Sequence, residues 1–151
     1  MDNIPKRTNL AGLYRKPLSW LEKKISLSFL NPNYLQIIAL ILSFIYLFVD
    51  NNVTRLIIVT VVLISDWLDG AAARSQKITS KEGWMIDVAV DRVSEGFIFA
   101  IHLDTYIGKV FFALYVLNTI LSMYSISSKK HLILPLRFMW IIYLAGLIIW
   151  N

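Results

Sequence analysis

No cysteine occurs among the 151 residues. Disulfide staples, thiol catalysis and cysteine-ligated metals are therefore excluded, while the compartment is left open. No internal repeat and no low-complexity segment interrupts the chain. A cleavable signal peptide is not expected either, because the first apolar run comes late and lacks a small-residue cleavage site. Charge is scarce: 17% of residues are charged against 57% hydrophobic. Water-soluble domains rarely reach that balance, so an integral membrane protein is the leading class. The net charge is +5. Its basic residues lie between oily runs and not on a polar face, which argues against nucleic acid and for anionic lipid headgroups. The length points to one domain, 1–151.

The order of oily and polar segments predicts an all-α, polytopic transmembrane bundle. Residues 1–9 read as a polar tail. In 10–30, Leu10, Leu13, Tyr14, Leu18, Leu21 and Ile25 recur at helical spacing, with Lys and Arg largely off that stripe. This predicts an amphipathic helix lying in the membrane interface, serving as an anchor. The transmembrane bundle then occupies 33–150. Five spans are predicted, near Tyr34–Val49, Val53–Arg74, Gly83–Leu103, Tyr106–Ile126 and Leu132–Trp150. Pro32 is well placed to open the first. Lys and Arg in the loops set the orientation. Of fifteen basic residues, only Arg55 and Lys109 fall on one side; Arg92 is inside a span and the other twelve are on the opposite side. The amino terminus and the loop near Lys77–Ser80 are thus expected to face the cytoplasm.

Against this background the stretch "SDWLDGAAARSQKITSKEGWMIDVAVDRVSEG" is anomalous. Asp66 and Asp69 are spaced i, i+3, and Asp87 and Asp91 i, i+4, so each pair shares one helix face. The two helices are expected to be adjacent and antiparallel. Asp66 and Asp91 both lie roughly 16 Å from the loop, at ~1.5 Å per residue. All four carboxylates are then expected to meet at similar depth. A mid-span charge costs at least ~2.5–3.5 kcal/mol on insertion scales, so four together need compensation. Arg74 and Arg92 offset part of it. Divalent cations offset it better, because clustered carboxylates are hard oxygen ligands that suit Mg²⁺, Mn²⁺ or Ca²⁺. Gly70 and Gly83 leave room for a close approach. Arg74, one turn beyond Gly70, adds a fixed cation. A metal, a bare floor and a guanidinium together suit a pyrophosphate.

The spacing Asp66-x-x-Asp69-Gly70-x-x-Ala73-Arg74, eight residues, Gly83-x-x-x-Asp87-x-x-x-Asp91 resembles the signature of the CDP-alcohol phosphotransferase family, with every fixed position present. The "NPNYL" segment resembles the start of that family's first span. The resemblance implies an enzyme of phospholipid biosynthesis. It would transfer a substituted phosphate from a CDP-alcohol, of the CDP-diacylglycerol or CDP-archaeol type, to an acceptor alcohol and release CMP. It implies two divalent cations, Mg²⁺ or Mn²⁺, held by Asp66, Asp69 and Asp87, with Asp91 as the general base and a contact to the second ion. Gly70, Ala73, Arg74 and Gly83 would line the CDP site. A homodimer is implied as well. Members usually have six spans, whereas five are counted here.

Other readings compete at particular positions. The carboxylates could be structural charge pairs, or could line a divalent-cation transporter or binding protein; neither explains Gly70, Ala73 and Arg74. Arg92 and Glu95, at i, i+3, are expected to form an ion pair. His102 is expected to be a packing residue. Lys129, Lys130 and His131 form either an ordinary positive cytoplasmic loop or, with Arg137, a cradle for an anionic acceptor. Arg137 is the best acceptor candidate. Thr79 or Ser80 is expected to cap the third helix.

Overall fold

The structure is a computed structural model and describes residues 6–7, 31–76, 78, 80–128, 130–131 and 133–150. Among these residues the regular structure is helical apart from two short strands. Five helices follow in order: α1 Pro32–Ile45, continued by a 3₁₀ turn at Tyr46–Phe48; α2 Asn52–Ser75; α3 Lys81–Ala100; α4 Tyr106–Ser128; and α5 Leu136–Trp150. Two-residue strands, β1 Lys6–Arg7 and β2 Lys130–His131, pair in parallel. This pairing ties part of the expected tail to the loop between α4 and α5. The expected interfacial helix at 10–30 lies outside the described residues.

Local chemistry sets the helix starts. Asn31 caps α1, its side chain accepting from the Asn33 amide at 3.0 Å, and Pro32 fills the first turn, where a missing N–H costs nothing. Asn51 caps α2 by accepting from Val53 and Thr54 at 2.9 and 3.1 Å. Ser80 caps α3, its hydroxyl accepting from Gly83 N–H at 2.9 Å. Capping by Ser80 is therefore the local role seen; Thr79 lies outside the described residues.

Two helices, Asn52–Ser75 and Tyr106–Ser125, are long and apolar enough to cross a membrane, while Pro32–Phe48 and Leu136–Trp150 are apolar but shorter. At ~1.5 Å per residue, 24 residues reach about 36 Å, beyond a ~30 Å hydrocarbon core. α3 does not join them, because it carries Glu82, Asp87, Asp91, Arg92 and Glu95. Large apolar side chains point outward on every helix, including Ile41, Ile57, Met85, Met123 and Ile142.

α1 is the shared neighbour of both acid-bearing helices: it packs on α2 and on α3. α5 packs on α2, and α4 on α3. The expectation that α2 and α3 lie directly against each other needs correction, since they are not among the closely packed pairs. Small groups let α1 fit between them. Ala39 is buried, and the buried hydroxyls of Ser43 and Ser94 bond to each other across α1 and α3. The aromatic core fills the end away from the aspartates. Trp140 packs edge-on to Phe99 at 5.5 Å and against Phe111 at 4.8 Å. Its indole N–H donates to the Tyr46 hydroxyl at 3.0 Å, and that hydroxyl bonds His102 Nε2 at 2.8 Å. His102 is thus a satisfied packing residue, as expected.

Candidate active site

Arg137, Trp140 and Leu144 are all buried on α5 and spaced so that they share one face. Trp140 and Leu144 enter the aromatic core. Arg137, one turn nearer the helix start, enters the space between α2 and α3. Its guanidinium pairs with Asp66 through Nη1 and with Asp91 Oδ1 through Nη2 at 3.1 Å. Nη2 also donates to the Asp91 carbonyl at 3.0 Å. Aspartates from two different helices therefore converge on one cation, at matching depth as the spacing predicts. Gln36 of α1 donates to Asp87 Oδ1 at 3.3 Å. Asp69 is buried and lies within electrostatic reach of Asp87, and Asp91 within reach of both.

The expected carboxylate cluster, offset by Arg74 and Arg92, thus holds a further cation, Arg137. Among the described residues, no three acidic or histidine side chains are gathered closely enough to hold an ion as they stand. The physical reason is that Arg137 stands between Asp66 and Asp91, and Gln36 engages Asp87. The donor set nevertheless fits hard divalent cations. Asp69, Asp87 and Asp91 lie within electrostatic reach of one another, and Asp66 shares Arg137 with Asp91; carboxylate oxygens are the ligand type that Mg²⁺ and Mn²⁺ take.

Gly70 and Arg74 lie against each other on α2. A Cβ on Gly70 would come 3.1 Å from Arg74 Nη1, so the guanidinium lies directly over this glycine. Ala73 is half-buried beside it, and Gly83 is exposed in the first turn of α3. Arg92 and Glu95 form the expected ion pair at 2.8 Å, both buried. Of the acceptor candidates, Arg137 is in the site. Lys129 lies outside the described residues, and of Lys130 only the backbone pairing with Lys6 is described.

Two polar residues were missed by sequence reasoning. Gln36 touches the carboxylates. Asn118, fully buried, joins α4 to Glu95 and to the Leu134 backbone. The signal for both was a lone amide inside an oily run, which in a membrane span is a functional candidate by default.

The family model described as CDP-alcohol phosphatidyltransferase matches residues 29–150, and so includes every helix and the whole aspartate motif. The chain belongs to the CDP-alcohol phosphatidyltransferase family. No curated protein and no solved structure matches it. Membership makes it a relative of transferases of phosphate-containing groups, with a CDP-alcohol and an acceptor alcohol as the implied substrates.

Proposed function

We propose that this chain is a membrane-embedded CDP-alcohol phosphatidyltransferase of phospholipid synthesis. Its active site faces the cytoplasm, and it works as a homodimer. The carrying observation is the convergence of Asp66 and Asp91, the two ends of the family motif, on Arg137, with Asp69 and Asp87 within electrostatic reach of Asp91. Apolar side chains facing outward on all five helices support burial in lipid.

The acceptor hydroxyl oxygen attacks the phosphorus attached to the lipid alcohol. A new P–O bond forms, the P–O bond to CMP breaks, and a phosphodiester results. Asp91 takes the acceptor proton, and CMP leaves with the negative charge. Arg74, poised over Gly70, pairs with the nucleotide phosphates and stabilises that charge. Asp66, Asp69, Asp87 and Asp91 would hold divalent cations, which when bound supply charge stabilisation on the transferring phosphate. Arg137 sits where an anionic acceptor, such as a phosphorylated polyol, would place its phosphate. Gln36 holds the Asp87 carboxylate in orientation.

Equilibrium binding of radiolabelled CDP to the purified protein tests this. Binding that needs Mg²⁺ or Mn²⁺ and is lost in Arg74→Ala supports the reading. Metal binding with no affinity for cytidine nucleotides would instead favour a cation-handling protein.

A further inference from the structure

The start of α5 carries Arg137 into the site; α5 packs mainly on α2 and reaches α3 and α4 through the Trp140 ring, one turn beyond Arg137. Polar tethers hold its first turn in addition. Asn118 of α4 is fully buried, uses both its N–H donors and accepts one bond at its oxygen. Its Nδ2 donates to the Leu134 carbonyl at 3.3 Å and to Glu95 Oε2 at 3.3 Å. Its Oδ1 accepts from the Leu134 amide at 2.8 Å. A carbonyl and a carboxylate only accept, and an amide N–H only donates, so these partners allow one orientation of the side-chain amide. Both backbone groups of Leu134 are thereby gripped by one side chain. Pro135 follows, with φ fixed by its ring and with Leu134 confined to extended backbone. Fixing Leu134 therefore fixes the first turn of α5, and Arg137 lies in that turn. At its other end the clamp rests on Glu95, which is held by Arg92, the residue after Asp91.

We infer that Asn118 is a positioning residue: through the Leu134 backbone it sets Arg137 against Asp66 and Asp91, and so sets the site that receives the acceptor. The kinetic part of this inference rests on the transferase reading; the structural part does not. In an apolar span a helix end is not held in register by the hydrophobic effect, so a three-bond amide clamp is a direct way to fix the height of a charged side chain.

Two substitutions test it. Asn118→Leu removes every bond. Asn118→Asp keeps the acceptor for the Leu134 amide, loses both donors, and sets a carboxylate against Glu95. Thermal unfolding is measured for each variant alone and combined with Arg137→Gln. The inference expects non-additivity, with Arg137→Gln lowering Tm clearly less in the Asn118→Leu protein than in the wild type. Equal Tm losses in both backgrounds would overturn it, whether or not the protein has transferase activity. Kinetics then read the consequence. Both Asn118 variants should raise the acceptor KM on the order of 10- to 100-fold, leaving the CDP-lipid KM unchanged. A merely structural fault would lower the active fraction, and hence kcat, with both KM values intact; that result would refute the positioning role. If wild-type protein released no CMP with any acceptor, the transferase reading would fail, and the melting cycle would still decide whether Asn118 sets Arg137.

Discussion

Replacing Arg137 with methionine should destabilise the metal-free protein strongly, and divalent cations should reverse much of the loss. The Arg137 side chain is 5% exposed, while Asp66 and Asp91 are 19% and 25% exposed. Breaking a buried pair by removing one partner costs about 3–5 kcal/mol, because the other charge is left uncompensated. Here two carboxylates lose their cation, but both are partly open to solvent, so the lower end, about 3 kcal/mol, applies. For a chain of this size about 1 kcal/mol moves Tm by ~2–4 °C, giving a fall of about 6–12 °C. The assay is thermal unfolding in detergent with chelator, followed by tryptophan fluorescence. Asp66→Asn placed on top of Arg137→Met should recover part of the loss by removing one orphaned charge. Adding Mg²⁺ should narrow the gap between Arg137→Met and wild type, since hard cations take over the balancing charge. An unchanged Tm for Arg137→Met in chelator, or a double variant no more stable than the single, would refute the argument that this guanidinium neutralises the cluster.

Other consequences follow from single positions. Asp91→Asn should cut turnover by on the order of 10²–10⁴, as loss of a proton acceptor does, well beyond any weakening of metal-dependent CDP binding, measured as CMP release beside nucleotide affinity. Gly70→Ala should fold normally, because the new Cβ at 3.1 Å meets only the movable end of Arg74, but should raise the CDP-lipid KM by displacing that guanidinium. Gly108→Ala should fold poorly: its Cβ would stand 1.7 Å from the His102 carbonyl oxygen, a backbone atom that cannot step aside, so a cost of at least the usual ~1–3 kcal/mol of overpacking should appear in Tm. Trp140→Phe should lose the indole bond to Tyr46 and lower stability by about 1 kcal/mol, with CMP release per folded protein unchanged.

Much of the fold was legible because its signals are local. Pro32 and Ser80 mark helix starts in the sequence, and the structure places both starts there; Asn31 and Asn51 cap their helices through bonds to residues two or three positions away. The i, i+3 and i, i+4 spacing of the aspartates follows from the helix period alone. What sequence could not supply was the partner across a long stretch of chain. Nothing near Arg137 announces that it meets Asp66 and Asp91, and it was read only as an acceptor ligand. Nothing near Pro32–Ile45 announces that this helix, through Gln36 and Ser43, lies between the two acidic helices. An apolar helix has oily residues on every side, so periodicity does not say which face is inward; in α5 the inward face is known only from Arg137, Trp140 and Leu144 being buried together. Asn118 illustrates the same limit: its oddity shows in the sequence, its partners do not.

The most direct test of the central claim is CMP release from CDP-diacylglycerol or CDP-archaeol by the purified protein in bilayers. It is run with Mg²⁺ or Mn²⁺ across a panel of acceptor alcohols, beside Asp91→Asn. Release that depends on both the metal and one acceptor, and that disappears in Asp91→Asn, is the predicted result. CMP release unchanged by Asp91→Asn, or none from either CDP-lipid with any acceptor, would contradict it.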